Sequence, residues 1–182
     1  MRFFSKENAK PTLVLTAICF SVALLLALVN LIAAPQIAEN QEKAFQKSLT
    51  DALAGASSFE EISAEGFAPE NGVSVTGIYR EADGLGYVIA VSTKKGYTGN
   101  EIAMTVGITA DGKIANAIVT ATAESKVTDE IKAYPGLFAG KNAEEAAAVD
   151  TVAGVTFSSK AYRNCVTYAL QIFESVAGGE AQ

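Results

Sequence analysis

The 182-residue chain contains no histidine and no tryptophan, only two cysteines and only four prolines. Without an imidazole, Ser-His-Asp and Cys-His nucleophile systems, His-ligated zinc and His-ligated haem are excluded as chemistry the chain performs by itself. The thiols of Cys19 and Cys165 are far apart, and neither sits in a Cys-x-x-Cys spacing. They read as small buried hydrophobes, with neither a bridge nor a metal cluster. Basic residues are also in deficit, 14 against 20 acidic, for a formal charge of −6. Nucleic acid drops out as a partner, because tracking phosphates takes a basic stripe that displaces counterions. No paired carboxylates stand out either, so the sequence assigns no catalytic residue and no metal site.

What the chain does have is a long uncharged run. Nothing between Lys10 and Glu39 carries a charge, and the centre reads Leu13-Val14-Leu15 and then Val22 through Val29. About 20 apolar residues at a rise of about 1.5 Å cover a hydrocarbon core of roughly 30 Å, so residues 11–35 are expected to span a lipid bilayer. Arg2, Lys6 and Lys10 precede the run against Glu7 alone, whereas Glu39 and Glu42 follow it. The positive-inside rule makes residues 1–10 a cytoplasmic tail, the anchor a single pass through the cell (inner) membrane, and the remainder extracytoplasmic. A cleaved signal peptide is the rival reading. Its apolar core is usually only about 7 to 15 residues, and Pro35 directly after Ala33-Ala34 is a poor residue to follow a cut, which favours a retained anchor. With residues 1–35 set aside, 11 basic and 19 acidic residues remain, a net of −8. A domain so acidic is held at the bilayer by its anchor rather than by its surface.

Past Pro35, expected to mark a bend or restart, apolar residues recur at Ile37, Ala44, Phe45, Leu49, Ala52 and Leu53 with mostly helical spacing. Residues 36–72 are read as a helical stalk and connection, with one helical turn predicted at Phe59 to Ile62. From Val73 the period becomes two, and a first hairpin turns near Asp83-Gly84. A second, from Ile102 to Thr122, turns at Ala110-Asp111-Gly112-Lys113, where Asp-Gly suits a tight turn. Residues 125–148 suggest short helices around Tyr134-Pro135-Gly136-Leu137. A final helix runs from Ser158 to Ala177, stopped by Gly178-Gly179. The class is therefore α+β: one N-terminal transmembrane helix, then an antiparallel sheet with packed helices over residues 73–182. The pairs Lys94-Lys95 and Glu144-Glu145 read as solvated surface.

Chemistry concentrates at Asp150-Thr151-Val152-Ala153-Gly154-Val155-Thr156-Phe157-Ser158-Ser159. A turn of small residues opening a helix presents backbone N–H groups, and the helix dipole favours an anion there, so the turn suits a phosphate carried on Thr156. The plainer alternative is a tight turn with Ser158 or Ser159 as the helix N-cap.

The same stretch resembles the covalent-flavin motif Asp-x-x-Ser/Thr-Gly-Ala-Thr of the FMN-binding domain family. That domain is shared by the G subunit of the Rnf ion-translocating electron transport complex and the C subunit of sodium-pumping NADH:quinone reductase. Ala153 stands where the family has Ser/Thr, and Val155 where it has Ala. Gly96-Tyr97-Thr98-Gly99 resembles the family's Gly-Tyr-Ser/Gly-Gly segment, and Val106-Gly107-Ile108 with Asp111-Gly112-Lys113-Ile114 resembles its following hairpin. In place of its His-x-Glu-Thr-Pro-Gly-Leu-Gly loop this chain has Thr122 through Asp129, keeping Glu124 and, instead of Thr, Ser125. The resemblance implies FMN joined to Thr156 as a phosphoester, with Gly154, Val155, Phe157, Glu124, Ser125, Tyr97 and Thr98 around it. Tyr134 and Leu137 are further candidates to cover the ring. It also implies installation by a separate flavin transferase and a place among other membrane subunits, including a second flavin carrier, in a complex coupling ferredoxin/NAD electron transfer to sodium or proton transport. Two other readings stay open: a free-standing flavinylated carrier for extracellular electron transfer, and an unflavinylated anchored binding or assembly module.

Overall fold

The computed structural model describes residues 6–125 and 127–179. Arg2 of the tail, Lys126 of the loop after the second hairpin, and the last three residues of the 73–182 segment lie outside the described residues. The chain divides into two compact units, residues 1–44 and residues 45–182.

The first unit is carried by helix α1 (Lys6–Ala52), which is long and apolar enough to cross a membrane. Its large side chains from Leu13 to Ile32 are exposed, and so is Cys19, contrary to the burial expected from the sequence. The hydroxyls of Thr16 and Ser21 donate back to the carbonyls of Thr12 and Ala17, at 2.9 and 2.8 Å. That self-satisfaction suits an apolar surrounding, where no water would accept them. The restart expected at Pro35 is not there: α1 runs through it. A proline deletes one backbone N–H, whereas its Leu- and Ala-rich flanks favour helix.

The second unit is built on a five-stranded antiparallel meander: β1 (Phe59–Ile62), β2 (Val73–Glu81), β3 (Gly86–Thr93), β4 (Ile102–Thr109) and β5 (Ile114–Thr122), in spatial order β1-β2-β3-β4-β5. Strand β1 replaces the helical turn predicted at Phe59 to Ile62. Phe59 and Ile62 face opposite sides of the sheet and join different apolar clusters, and Glu60 pairs across the ladder with Arg80 at 2.8 Å. Four residues are too few for a period of two to declare itself.

Strand β3 shows why the sheet is buried. Tyr87, Ile89 and Val91 point to one face and Val88 to the other, and all four are buried. Helix α4 (Thr156–Gly179) covers the first face with Ala161, Tyr162, Cys165, Val166, Ala169, Leu170 and Phe173, at the spacing of a single helical stripe. Each large apolar side chain fully buried there contributes about 1.5–3 kcal/mol. Burial also pushes the Cys165 thiol up to about 12, so it packs as a hydrophobe and stays protonated. The last turn of α1 and the residue that follows it cover the opposite face, with Leu49, Ala52 and Leu53 against Val88.

Helix α2 (Asp129–Ala133), a 3-10 turn (Tyr134–Phe138) and helix α3 (Ala143–Ala147) connect β5 to α4. Thr128 caps α2, and Asn142 and Glu145 form a reciprocal capping box on α3. Glu145 is thus a structural acceptor as well as a surface charge.

Candidate functional site

Strands β3 and β5 both leave the sheet beside the start of β4, since Thr93 and Thr122 each pair with Ile102. Their outgoing segments, residues 94–98 and 123–125, meet the N-terminus of α4 there. The result is a cleft of about 260 Å3 lined by Tyr97, Glu124, Gly154, Val155, Thr156, Phe157 and Ser158.

The turn before α4 is made by local chemistry. The N–H of Val155 donates to the Val152 carbonyl at 3.3 Å, closing a four-residue turn in which Gly154 takes φ +82°, a conformation that penalises any Cβ. A Cβ at Gly154 would meet nothing within 4 Å, so the backbone and not crowding demands glycine. Ser159 closes the turn from inside the helix, accepting from the Val152 N–H and donating to the Val155 carbonyl, both at 3.1 Å. The helix itself begins at Thr156, two residues before the start expected from the sequence, so Ser158 and Ser159 lie in its first turn rather than at the N-cap. Its first i to i−4 bond runs from the Ser159 N–H to the Val155 carbonyl at 3.0 Å. The N–H groups of Thr156, Phe157 and Ser158 precede that bond and supply a positive helix end.

Thr156 is exposed, and its hydroxyl makes only a long 3.4 Å bond to the Val152 carbonyl. Beside it stand two aromatic rings without a core role, Tyr97 at 69% and Phe157 at 66% exposure, with centroids 6.4 Å apart and planes tilted by 51°. Val155 is buried in the main apolar cluster while also lining the cleft. Its methyls are therefore held by the core.

Glu124 is the organising charge, only 8% exposed. Its carboxylate accepts from the Tyr97 N–H at 3.0 Å, the Thr98 N–H at 3.3 Å, the Thr98 hydroxyl at 3.0 Å and the Ser158 hydroxyl. Burial pushes this carboxyl up, but the bonds from Ser158, Tyr97 and Thr98 outweigh it and hold the group below the usual carboxylate range. Because the folded-state value is depressed, Glu124 stabilises the fold above the ordinary carboxylate range and loses that contribution as pH falls through its folded value. Urea unfolding across an acid series is expected to show this loss in the wild type and a flatter acid limb in Glu124→Gln. Equal acid limbs would refute it.

Of the residues singled out in the sequence, the cleft thus gathers Thr156, Gly154, Val155, Phe157, Glu124 and Tyr97. Thr98 stands behind Glu124, and Ser125 is exposed outside the lining. Tyr134 and Leu137 do not line the cleft: Tyr134 is fully buried, edge-on to Phe138, and Leu137 is exposed on the 3-10 turn. The sequence reading missed Ser158 and Gly96 as site residues. A Cβ at Gly96 would collide with Glu124 Oε1 and come within 2.6 Å of Ile102 Cδ1, so this glycine makes room for the carboxylate. Among the described residues no cluster of His, Cys, Asp or Glu is placed to hold a metal ion.

Residues 96–171 match the family model of the FMN-binding domain. The matched segment begins at the glycine beneath Glu124 and ends within α4, so it contains the whole lining of the cleft. No curated protein matches the chain.

Proposed function

We propose that the chain is a membrane-anchored electron carrier holding FMN as a phosphoester on Thr156, in the manner of the G subunit of an Rnf-type complex. The observation that carries this reading is the exposed, weakly held Thr156 hydroxyl at the start of α4, in one cleft with two solvent-facing aromatic rings and inside the segment matching the FMN-binding domain.

These residues fit the group. The free N–H groups of the first turn and the helix dipole suit a phosphate at Thr156. The apolar faces of Tyr97 and Phe157 suit a flat heterocycle. FMN, when bound, supplies the ability to accept one or two electrons, and the protein's part is to bind, orient and cover it. A covalent tether makes sense for a carrier outside the membrane, where a dissociated cofactor would be lost to bulk solvent.

In this reading residues 1–10 lie in the cytoplasm, residues 11–35 cross the cell membrane, residues 36–72 form the stalk, and residues 73–182 work on the far side. Its partners are other membrane subunits, including a second flavin carrier, and a flavin transferase during maturation. The complex would couple ferredoxin/NAD electron transfer to sodium or proton transport. Intact-mass measurement of the chain from its native membrane tests the cofactor: an increment of one FMN minus water is expected on the peptide containing Thr156, and an unmodified peptide from fully matured material refutes it. Purification in mild detergent tests the assembly. Co-isolation with several membrane subunits is expected, whereas a chain isolated alone supports a free-standing carrier.

A further inference from the structure

The cleft wall made by Tyr97 is not held by packing. Tyr97 is 69% exposed, and its neighbours Lys95, Gly99 and Asn100 are exposed too. What fixes the turn is polar: the Tyr97 and Thr98 N–H groups and the Thr98 hydroxyl all end on the Glu124 carboxylate, whose Oε2 also takes the Ser158 hydroxyl from the first turn of α4. One buried carboxylate therefore joins two segments, each carrying one of the aromatic rings, Tyr97 on the turn and Phe157 beside Ser158.

We propose that Glu124 is a positioning residue for the cofactor cleft: its ionised carboxylate latches the Gly96–Thr98 turn to the N-terminus of α4, holds the Tyr97 ring opposite Phe157, and lets the turn go when it is protonated. The role assigned to the cleft rests on the FMN reading above, but the latch itself is a property of the unloaded chain.

The surroundings of Glu124 leave it in control of this latch. From the turn it meets two backbone amides and a hydroxyl; from α4 it meets the Ser158 hydroxyl and, electrostatically, the phenol of Tyr162. That phenol is pushed up by burial and stays neutral through the acid and neutral range. Among the described residues no Lys or Arg pairs with Glu124. Protonation converts an acceptor of four donors into a group that must itself donate, and two of those donors are amide N–H groups that cannot reverse their role. Gly96 lets the carboxylate approach, so Gly96→Ala displaces it without removing its charge.

The test is hydrogen exchange on the full-length, unloaded chain in detergent, read as the protection factor of the peptide spanning residues 94–101 against a control peptide from the middle of α4. In the wild type, protection at 94–101 is expected to fall on acidification while the control holds. Charge-assisted bonds are the strong ones, so Glu124→Ala is expected to lower protection about tenfold at neutral pH. Gly96→Ala should lower it in the same direction, and Glu124→Gln should give intermediate protection that no longer changes with acid. Wild-type protection in Glu124→Ala, or an acid response surviving in Glu124→Gln, overturns the proposal. Should Glu124→Ala unfold the control peptide as well, the acid response of Glu124→Gln decides alone. Because no flavin is present, a missing FMN on Thr156 would sink the carrier reading and leave this result standing. In the loaded chain, Glu124→Gln is expected to weaken quenching of flavin emission by the Tyr97 ring, and unchanged emission would overturn the latch's role in the cleft.

Discussion

A Thr156→Ala chain produced together with a flavin transferase will carry no flavin through denaturing electrophoresis, where the wild type will fluoresce. The effect is all or none, because an ester needs a hydroxyl and the cleft offers no equivalent. Ser158 is only 2% exposed and its hydroxyl is committed to Glu124. Ser159 is fully buried, with its oxygen shared between the Val152 N–H and the Val155 carbonyl. Thr98 points its hydroxyl at Glu124 Oε1. Of the aliphatic hydroxyls lining the cleft among the described residues, only that of Thr156 is both exposed and weakly bonded. The substitution costs little stability, since a helix-initiating threonine with one long hydrogen bond gives way to the best helix former. A folded but colourless variant is therefore the expected product, with thermal melting close to wild type. Retained fluorescence would place the tether elsewhere and refute the assignment to Thr156.

The second large effect is one of stability and lies on the other face of the sheet. Gly107→Ala is expected to lower the melting temperature of the chain by on the order of 10 °C, from overpacking of a few kcal/mol. A Cβ at Gly107 would collide with the Ala52 carbonyl and stand 3.1 Å from the Leu53 nitrogen. These are backbone atoms at the end of α1 and cannot swing aside as a flexible side chain can. Relief requires lifting the helix end from the sheet, which uncovers Leu49 and Leu53, now 1% and 2% exposed. It also strains the bond that Asn116, opposite Gly107 in the ladder, donates to the Asp51 carbonyl at 3.1 Å. Asn116→Ala is the milder control, expected to cost about 1 kcal/mol for one partly exposed hydrogen bond. Circular dichroism melts of the full chain in detergent check both, and equal melting temperatures for wild type and Gly107→Ala would refute the close approach.

Particular elements show how much could be read without coordinates. The second hairpin was legible to the residue, because Ile102–Thr109 and Ile114–Thr122 frame an Asp-Gly turn in which Gly112 takes φ +79°. Helix α4 was legible from its apolar stripe, though its start was misplaced by two residues because Ser158 and Ser159 resemble caps. They serve instead as a partner for Glu124 and a clamp on the preceding turn. Strand β1 was illegible, since four residues around Glu60-Glu61 carry no period. Pro35 does not restart the helix, because a single missing N–H does not outweigh a helix-favouring context.

The division has a physical cause. Sequence alone determined what depends on near neighbours: the uncharged apolar run of α1, the alternation of the strands, the glycine that the turn at Gly154 requires, and a threonine placed where a helix end favours an anion. Tertiary structure decided what depends on chain segments meeting across the sheet. Glu124 and Ser158 are 34 residues apart, and Glu124 and the Tyr97 N–H are 27 apart. No spacing in the sequence announces either bond. Strand pairing brings these segments to one end of the sheet, and only there do a buried carboxylate, given room by Gly96, and two exposed rings become walls of one cleft.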